Sequence, residues 1–102
     1  MIRLTEKWRR EAVVHSALEG DLRREELGLV ARALEAYGKE GIEEVHLVVD
    51  GLLPSDPTVC KGLGRVEPEG MKLRLHSSSG FLRDLLASYG MEVSPLEEKA
   101  GG

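Results

Sequence analysis

The stretch Leu18-Glu19-Gly20-Asp21-Leu22 and the later stretch Val48-Val49-Asp50-Gly51 decide the fold class of this chain. The first predicts the end of a strand, a Gly-Asp turn and the start of a long helix. The second predicts a buried strand whose exit loop leads to Ser55-Asp56-Pro57-Thr58, an acid and a hydroxyl at a helix start. Because strands joined through helices lie parallel in one sheet, the two stretches predict an α/β architecture.

The N-terminal segment has two alternatives. Alternating apolar and polar residues predict a strand at residues 1–6, and a β-branched pair predicts a second strand at residues 11–18, so the two would form a hairpin. A single helix over residues 6–18, capped by Thr5 and stopped by Gly20, is the alternative. Asp21 is expected to cap the long helix that follows, which ends near Gly38.

The remaining elements complete one domain. A near-continuous apolar run predicts a central parallel strand at residues 44–50, covered on both faces. Glycines limit the helix after Pro57 to a turn or two, strict alternation predicts a strand at residues 71–76, and a helix over residues 81–89 precedes a short strand at residues 91–93. The sequence therefore predicts a single small α/β domain over residues 1–93, with a mainly parallel sheet, helices and an N-terminal β-hairpin, and a flexible tail at residues 94–102.

Composition limits the class of protein. The chain has 102 residues, 41% of them hydrophobic, and a net charge of -4, which suits one soluble domain and argues against nucleic-acid binding. The basic stretch Lys7-Trp8-Arg9-Arg10 is therefore expected to be a solvated strand connection. No signal peptide and no run long enough to span a membrane are visible, so a cytoplasmic location is expected. Frequent Glu, Arg and Leu indicate a thermophilic source.

No residue pattern predicts catalysis, a metal site or a cofactor. His15, His46 and His76 fall on predicted strands without ligand spacing, and no nucleophile can be paired with a base, so the chain is not expected to be an enzyme. The single cysteine, Cys60, excludes an internal disulfide and a cysteine-based zinc site. Its neighbour Lys61 could lower the pKa of the thiol, although such a cysteine more often packs in the core.

The order and spacing of these segments resemble the STAS domain, the fold of bacterial anti-sigma factor antagonists, over almost the whole chain. In that family an Asp-Ser-Ser-Gly segment carries the phosphoacceptor as its second serine. The matching segment here is Asp56-Pro57-Thr58-Val59, in which proline replaces the first serine and valine replaces the glycine. The resemblance implies that Thr58 is the phosphoacceptor and that Asp56 is the family's acid.

The resemblance also implies a regulatory module that binds a protein partner, such as an anti-sigma factor or a kinase-like regulator. Its contact surface would comprise Asp56, Thr58, Lys61 and Arg65, and a negative charge at Thr58 would switch binding off.

Other functions stay open at this point. The run Ser77-Ser78-Ser79 at a helix start is a candidate anion-binding site, with plain helix capping as the alternative. Asp50-Gly51 is also similar to the end of the opening strand-helix-strand unit of small sulfur-relay proteins, which would make Cys60 a sulfur carrier. A structural or oligomer-forming domain without a ligand is the third possibility, and the sequence identifies neither the partner nor the oligomeric state.

Overall fold

The computed structural model describes residues 1–53 and 56–96, which form a six-stranded mixed sheet with three α-helices packed on one of its faces. The strands are β1 (Ile2–Arg10), β2 (Val13–Asp21), β3 (Glu44–Val48), β4 (Leu52–Leu53), β5 (Lys72–Ser77) and β6 (Val93–Pro95). The helices are α1 (Leu27–Lys39), which follows a short 3-10 turn at Arg24–Glu26, α2 (Pro57–Leu63) and α3 (Gly80–Ser88). The predicted α/β class with an N-terminal hairpin is confirmed.

The strands lie in the order β1-β2-β3-β5-β6. Only the β1–β2 pair is antiparallel among the described strands, while β2, β3, β5 and β6 run parallel to their neighbours. The short β4 also pairs with β2, so it continues the path of β3 after an interruption at residues 49–51. The connections from β2 to β3, from β3 to β5 and from β5 to β6 all step in the same direction across the sheet. Because such connections are right-handed, all three place their helices on the same face of the sheet.

The hydrophobic core lies between the helices and that face of the sheet. Val45 and Leu47 of β3 are fully buried there, whereas His46 and Val48, which point to the opposite face, are only half-buried. The expectation that β3 is covered on both faces is therefore wrong. An apolar run shows that a strand is central, but the direction of the crossovers decides which faces receive helices.

The N-terminal segment is a β-hairpin, and the alternative helix over residues 6–18 is wrong. Both strands extend further than the sequence predicted, because β2 hydrogen-bonds β1 on one side and β3 on the other, and this pairing outweighs helix propensity. Near the start of the hairpin, Gly20 has a φ of 109°, and a Cβ there would lie 2.2 Å from the Met1 carbonyl oxygen. Only glycine fits at position 20, because any side chain there would collide with the Met1 backbone.

Asp21 does not cap α1, in contrast to the prediction. It is the last residue of β2, and its carboxylate accepts a hydrogen bond from Arg23 Nε at 3.1 Å. The helical segment begins instead with the 3-10 turn, where the Glu26 carboxylate accepts from the backbone N–H of Arg23 at 3.2 Å and from that of Ile2 at 3.1 Å. Glu26 thereby joins the helix start to the first residue of β1.

The C-terminal strand lies two residues later than predicted. In β6, Ser94 and Pro95 pair with His76 and Ser77 of β5, and the Leu96 N–H donates to the Ser77 carbonyl at 3.1 Å. Ser94 and Pro95, which the sequence assigned to the tail, therefore belong to the sheet, and Leu96 is hydrogen-bonded to its neighbouring strand. The flexible tail remains a prediction for residues 97–102, which lie outside the described residues.

Candidate functional site

Helix α2 begins with the acid-proline-hydroxyl segment that the sequence singled out. The Asp56 carboxylate accepts hydrogen bonds from the backbone N–H groups of Thr58 at 2.9 Å and of Val59 at 3.4 Å, and Pro57 occupies the first helical position. This is the predicted cap, and the helix has seven residues, as its glycines indicated. The cap fixes the direction in which the first turn presents its side chains.

The two sides of α2 differ in exposure. Val59, Cys60 and Leu63 are buried against the core. The four residues that the resemblance assigned to a partner surface are all exposed: Asp56, Thr58, Lys61 and Arg65. Among the described residues, no carboxylate forms an ion pair with Lys61 or Arg65. These four residues thus lie on one exposed segment, and neither cation is paired with a carboxylate among the described residues.

Cys60 packs in the core, where its surroundings disfavour the thiolate form. It has no solvent-exposed surface. Burial raises the pKa of the thiol above its usual value, the negative charge of Asp56 adds to this effect, and a hydrogen bond with the Asp56 backbone only partly opposes it. Of the two possibilities raised for Cys60, a thiol pKa lowered by Lys61 is not found, and packing in the core is. A sulfur carrier needs an accessible thiolate, which this environment does not favour.

Asp50, which follows β3, is hydrogen-bonded to the serine run at the start of α3. The Asp50 carboxylate accepts three hydrogen bonds, from Ser77 Oγ at 2.6 Å, from the Ser78 N–H at 2.8 Å and from Ser78 Oγ at 2.7 Å. Ser79 Oγ caps α3 by accepting from the Leu82 N–H at 3.1 Å. The anion-binding site at Ser77, Ser78 and Ser79 stays a prediction, and an external anion there would have to displace Asp50.

Burial alone would raise the pKa of Asp50. The hydrogen bonds from Ser77 and Ser78, together with the nearby charge of Arg83, outweigh that effect and hold the pKa below the usual value. Arg83 also donates to the Ser77 carbonyl at 2.8 Å. The sequence placed Asp50 and the serines in neighbouring loops at the carboxyl ends of parallel strands, and this was the signal from which their contact could have been predicted.

Two large apolar side chains at this end of the sheet are exposed, which the sequence did not indicate. Leu53, at the end of β4, is 59% exposed, and Phe81, in the first turn of α3, is 78% exposed. In α3 the buried residues are Leu82 and Leu86, and Phe81 is not among them.

The three histidines lie far closer together than the sequence indicated. His15 is in register with His46, the ring centroids of these two lie 4.3 Å apart, and those of His46 and His76 lie 5.0 Å apart. Strand register, which the sequence does not reveal, brings them together on the face without helices. Nevertheless, no group of three or more His, Cys, Asp or Glu in the described part of the chain is arranged to hold a metal ion.

Within residues 1–53 and 56–96, no helix has both the length and the apolar character needed to cross a bilayer. No protein-family model and no curated protein sequence matches the chain.

Solved structures, in contrast, match it over nearly its whole length. An anti-sigma factor antagonist from Mycobacterium paratuberculosis superposes with a TM-score of 0.69 at 10% identity, covering 98% of this chain and 91% of that one. The anti-sigma factor antagonist SpoIIAA in its unphosphorylated form matches with a TM-score of 0.58 at 14% identity, covering 97% and 92%. The phosphorylated form of the Bacillus cell fate determinant SpoIIAA gives 0.52 at 10%, covering 97% and 96%. The chain therefore has the STAS fold seen in anti-sigma factor antagonists.

Proposed function

We propose that this chain is a regulatory protein-binding module of the anti-sigma factor antagonist type and not an enzyme. The observation that carries the proposal is the exposed Thr58 in the first turn of α2, beside the capping Asp56, in a chain with the fold of these antagonists. The partner is an anti-sigma factor or a related kinase-like regulator, and the two proteins bind each other in the cytoplasm.

The partner surface comprises Asp56, Thr58, Lys61 and Arg65. Lys61 and Arg65 have no carboxylate partner in the described residues, so they can pair with acidic groups on the regulator and speed the encounter. Phe81, at the same end of the sheet, supplies the exposed aromatic area that protein interfaces commonly use as an anchor.

Negative charge at Thr58 turns binding off. The Asp56 carboxylate already accepts from the Thr58 N–H, so a phosphate on the adjacent hydroxyl would add nearly two negative charges next to an existing one. Repulsion and the cost of burying that charge at an interface both oppose docking. The helix itself tolerates an acid in its first turn, so the fold should remain intact.

The test begins with affinity capture from a lysate of the source organism, followed by titration of the purified regulator against defined variants. Thr58→Ala is expected to bind like the wild type, whereas Thr58→Glu should lose about tenfold or more in affinity, equal to about 1.4 kcal/mol. Lys61→Glu and Arg65→Glu should weaken binding, and Lys39→Glu, at the last residue of α1 and at the opposite end of the sheet, serves as the matched charge-reversal control.

Equal affinity of Thr58→Glu and the wild type would end the switch hypothesis. Unchanged binding in both charge-reversal variants would instead place the contact elsewhere. Incubation of the complex with ATP, followed by mass spectrometry, should find one phosphate on the peptide that contains Thr58. The buried thiol of Cys60 gives no support to the sulfur-carrier alternative, and nothing specific favours a purely structural domain.

A further inference from the structure

The outer edge of β5 is covered over only part of its length. β5 pairs with β3 along residues 72–76, whereas its pairing with β6 begins at Leu75. In the described part of the chain, residues 72–74 therefore form an open edge of the sheet. A cavity of about 260 Å³ lies at this edge, bounded by β5, by the loop after α2 and by residues 90–92 before β6. We call it the β5-edge cavity.

The backbone N–H and C=O groups of Leu73 point into this open edge. On the β3 side, the Lys72 N–H donates to the Glu43 carbonyl at 3.0 Å. On the β6 side, the Ser77 carbonyl accepts from the Leu96 N–H at 3.1 Å. Successive residues of a strand direct their backbone groups to opposite sides, so Leu73 shares the outward direction of Ser77.

Neither backbone group of Leu73 is hydrogen-bonded to another described residue, because β6 does not extend far enough to reach it. A donor and an acceptor side by side on an open edge match the backbone of an extended residue from another peptide, which presents its own N–H and C=O on one side. Leu73 is half-buried, so such a residue would replace water at this position. The β5-edge cavity is therefore suited to an extended peptide backbone.

Three charged side chains line the same cavity: Arg74, Glu67 and Glu92. All three are exposed, and none forms an ion pair with another described residue. The planar guanidinium of an arginine binds a carboxylate through two parallel hydrogen bonds, and a carboxylate accepts hydrogen bonds from an ammonium group. The cavity thus offers groups for both ends of a zwitterion next to the unpaired backbone of Leu73.

The size of the cavity limits the ligand. A volume of 260 Å³ corresponds to a sphere about 8 Å across, and two extended residues span about 7 Å. The buried side chains of Leu75 and Met91 form the apolar part of its wall. Two residues with small apolar side chains therefore fit, whereas a longer chain would extend beyond the cavity.

We propose that the β5-edge cavity binds a dipeptide with free ends. The peptide N–H of the ligand donates to the Leu73 carbonyl, and its terminal carboxylate accepts from the Leu73 N–H and from Arg74. Its ammonium group binds Glu67 or Glu92. The site is separate from the proposed partner surface, because the cavity reaches α2 only at Gly64, its C-cap, whereas Thr58 lies in the first turn.

The test is an NMR titration of the 15N-labelled protein with the dipeptide alanylalanine. The Leu73 amide should shift in a saturable manner, together with the amide of Gly90 in the cavity wall, with a dissociation constant of about 1 mM or tighter, as ordinary ligand efficiencies give for a ligand of this size. The Thr58 amide should not move. The same dipeptide with an acetylated amino end and an amidated carboxyl end keeps the backbone but loses both charges, and should bind at least about tenfold more weakly.

Protein variants assign the contacts. Arg74→Gln should weaken binding by about tenfold, and so should the double variant Glu67→Gln/Glu92→Gln. Arg32→Gln on the exposed face of α1 is the matched control and should bind like the wild type. No shift of the Leu73 amide at about 20 mM alanylalanine, well above the expected constant, would overturn the proposal. Equal affinities for the free and the capped dipeptide would also overturn it, because the charged side chains would then play no part.

Discussion

Replacing Asp50 by alanine should destabilise the protein more than its exposed position at the surface suggests. The carboxylate joins the end of β3 to the β5–α3 connection through its three hydrogen bonds with Ser77 and Ser78. Ser77 is fully buried, so its hydroxyl would lose its acceptor without gaining water. Ser78 is exposed, and its two donors can turn to solvent at little cost.

The magnitude follows from this difference. A buried hydroxyl left without a partner costs about 1–3 kcal/mol, whereas the two solvent-accessible bonds contribute about 0.5 kcal/mol each. We therefore expect Asp50→Ala to lower the free energy of unfolding by about 3 kcal/mol. With a urea slope near 1.2 kcal/mol per molar for a domain of this size, the unfolding midpoint should fall by about 2.5 M.

Urea unfolding of four variants measures the loss of stability and tests whether it comes from the hydrogen bond between Asp50 and Ser77. Asp50→Ala, Ser77→Ala and the double variant form a cycle, in which the coupling between the two residues should be about 1 kcal/mol or more. Asp84→Ala on the exposed face of α3 is the matched control and should stay within about 0.5 kcal/mol of the wild type.

The stability loss should also depend on pH in a defined direction. Because the pKa of Asp50 is lower in the folded protein than in the unfolded chain, its contribution is complete above the unfolded pKa and is lost as the pH falls through the folded value. The difference between the wild type and Asp50→Ala should therefore shrink in acid. A loss below about 0.5 kcal/mol at pH 7, or additive effects of Asp50 and Ser77, would refute this reasoning.

Further outcomes follow from other parts of the molecule. Cys60 should react with a thiol reagent only after unfolding, and a stable persulfide on the native protein would contradict its burial. Because the pKa values of His15 and His76 are lowered, the unfolded chain binds more protons, so stability should be constant above about pH 7 and fall as the pH drops below 6.5; a urea midpoint that is equal at pH 7.5 and pH 5 would argue against this. Gly20→Ala should cost about 3 kcal/mol or more since its Cβ would meet the Met1 carbonyl, whereas Gly70→Ala, with positive φ but open space, should cost about 1 kcal/mol. A chelator should leave the thermal midpoint unchanged, and a stoichiometric zinc lost together with stability would disprove this.

Local sequence patterns predicted the structure correctly where that structure depends only on residues close together in the chain. The Asp56-Pro57 cap and the alternation of β5 were predicted from spacing alone and are present, and the helix capping offered for the serine run is made by Ser79. Capping needs only the residues within one turn, and alternation needs only the pleat of a single strand, so both can be read from the sequence.

Elsewhere, tertiary contacts decided between local alternatives. The segment that could have been one helix is a hairpin because β3 lies beside β2 and completes its hydrogen bonding. Asp21 fails as a cap because β2 continues through it to pair with Leu53 of β4. Propensity is a weak preference of a few tenths of a kcal/mol per residue, and sheet pairing summed over nine residues exceeds it.

The sequence by itself determined the α/β class, the order of α1, β3, α2, β5 and α3 along the chain and the Asp56 cap at the start of α2, because each rests on periodicity or on residues within one turn. Only the tertiary structure decided that Asp50 binds the serines of the next loop and that Glu44, His46 and His76 are joined by hydrogen bonds in one row. Both depend on strand order and on register, where a shift of one residue would send every side chain of a strand to the other face.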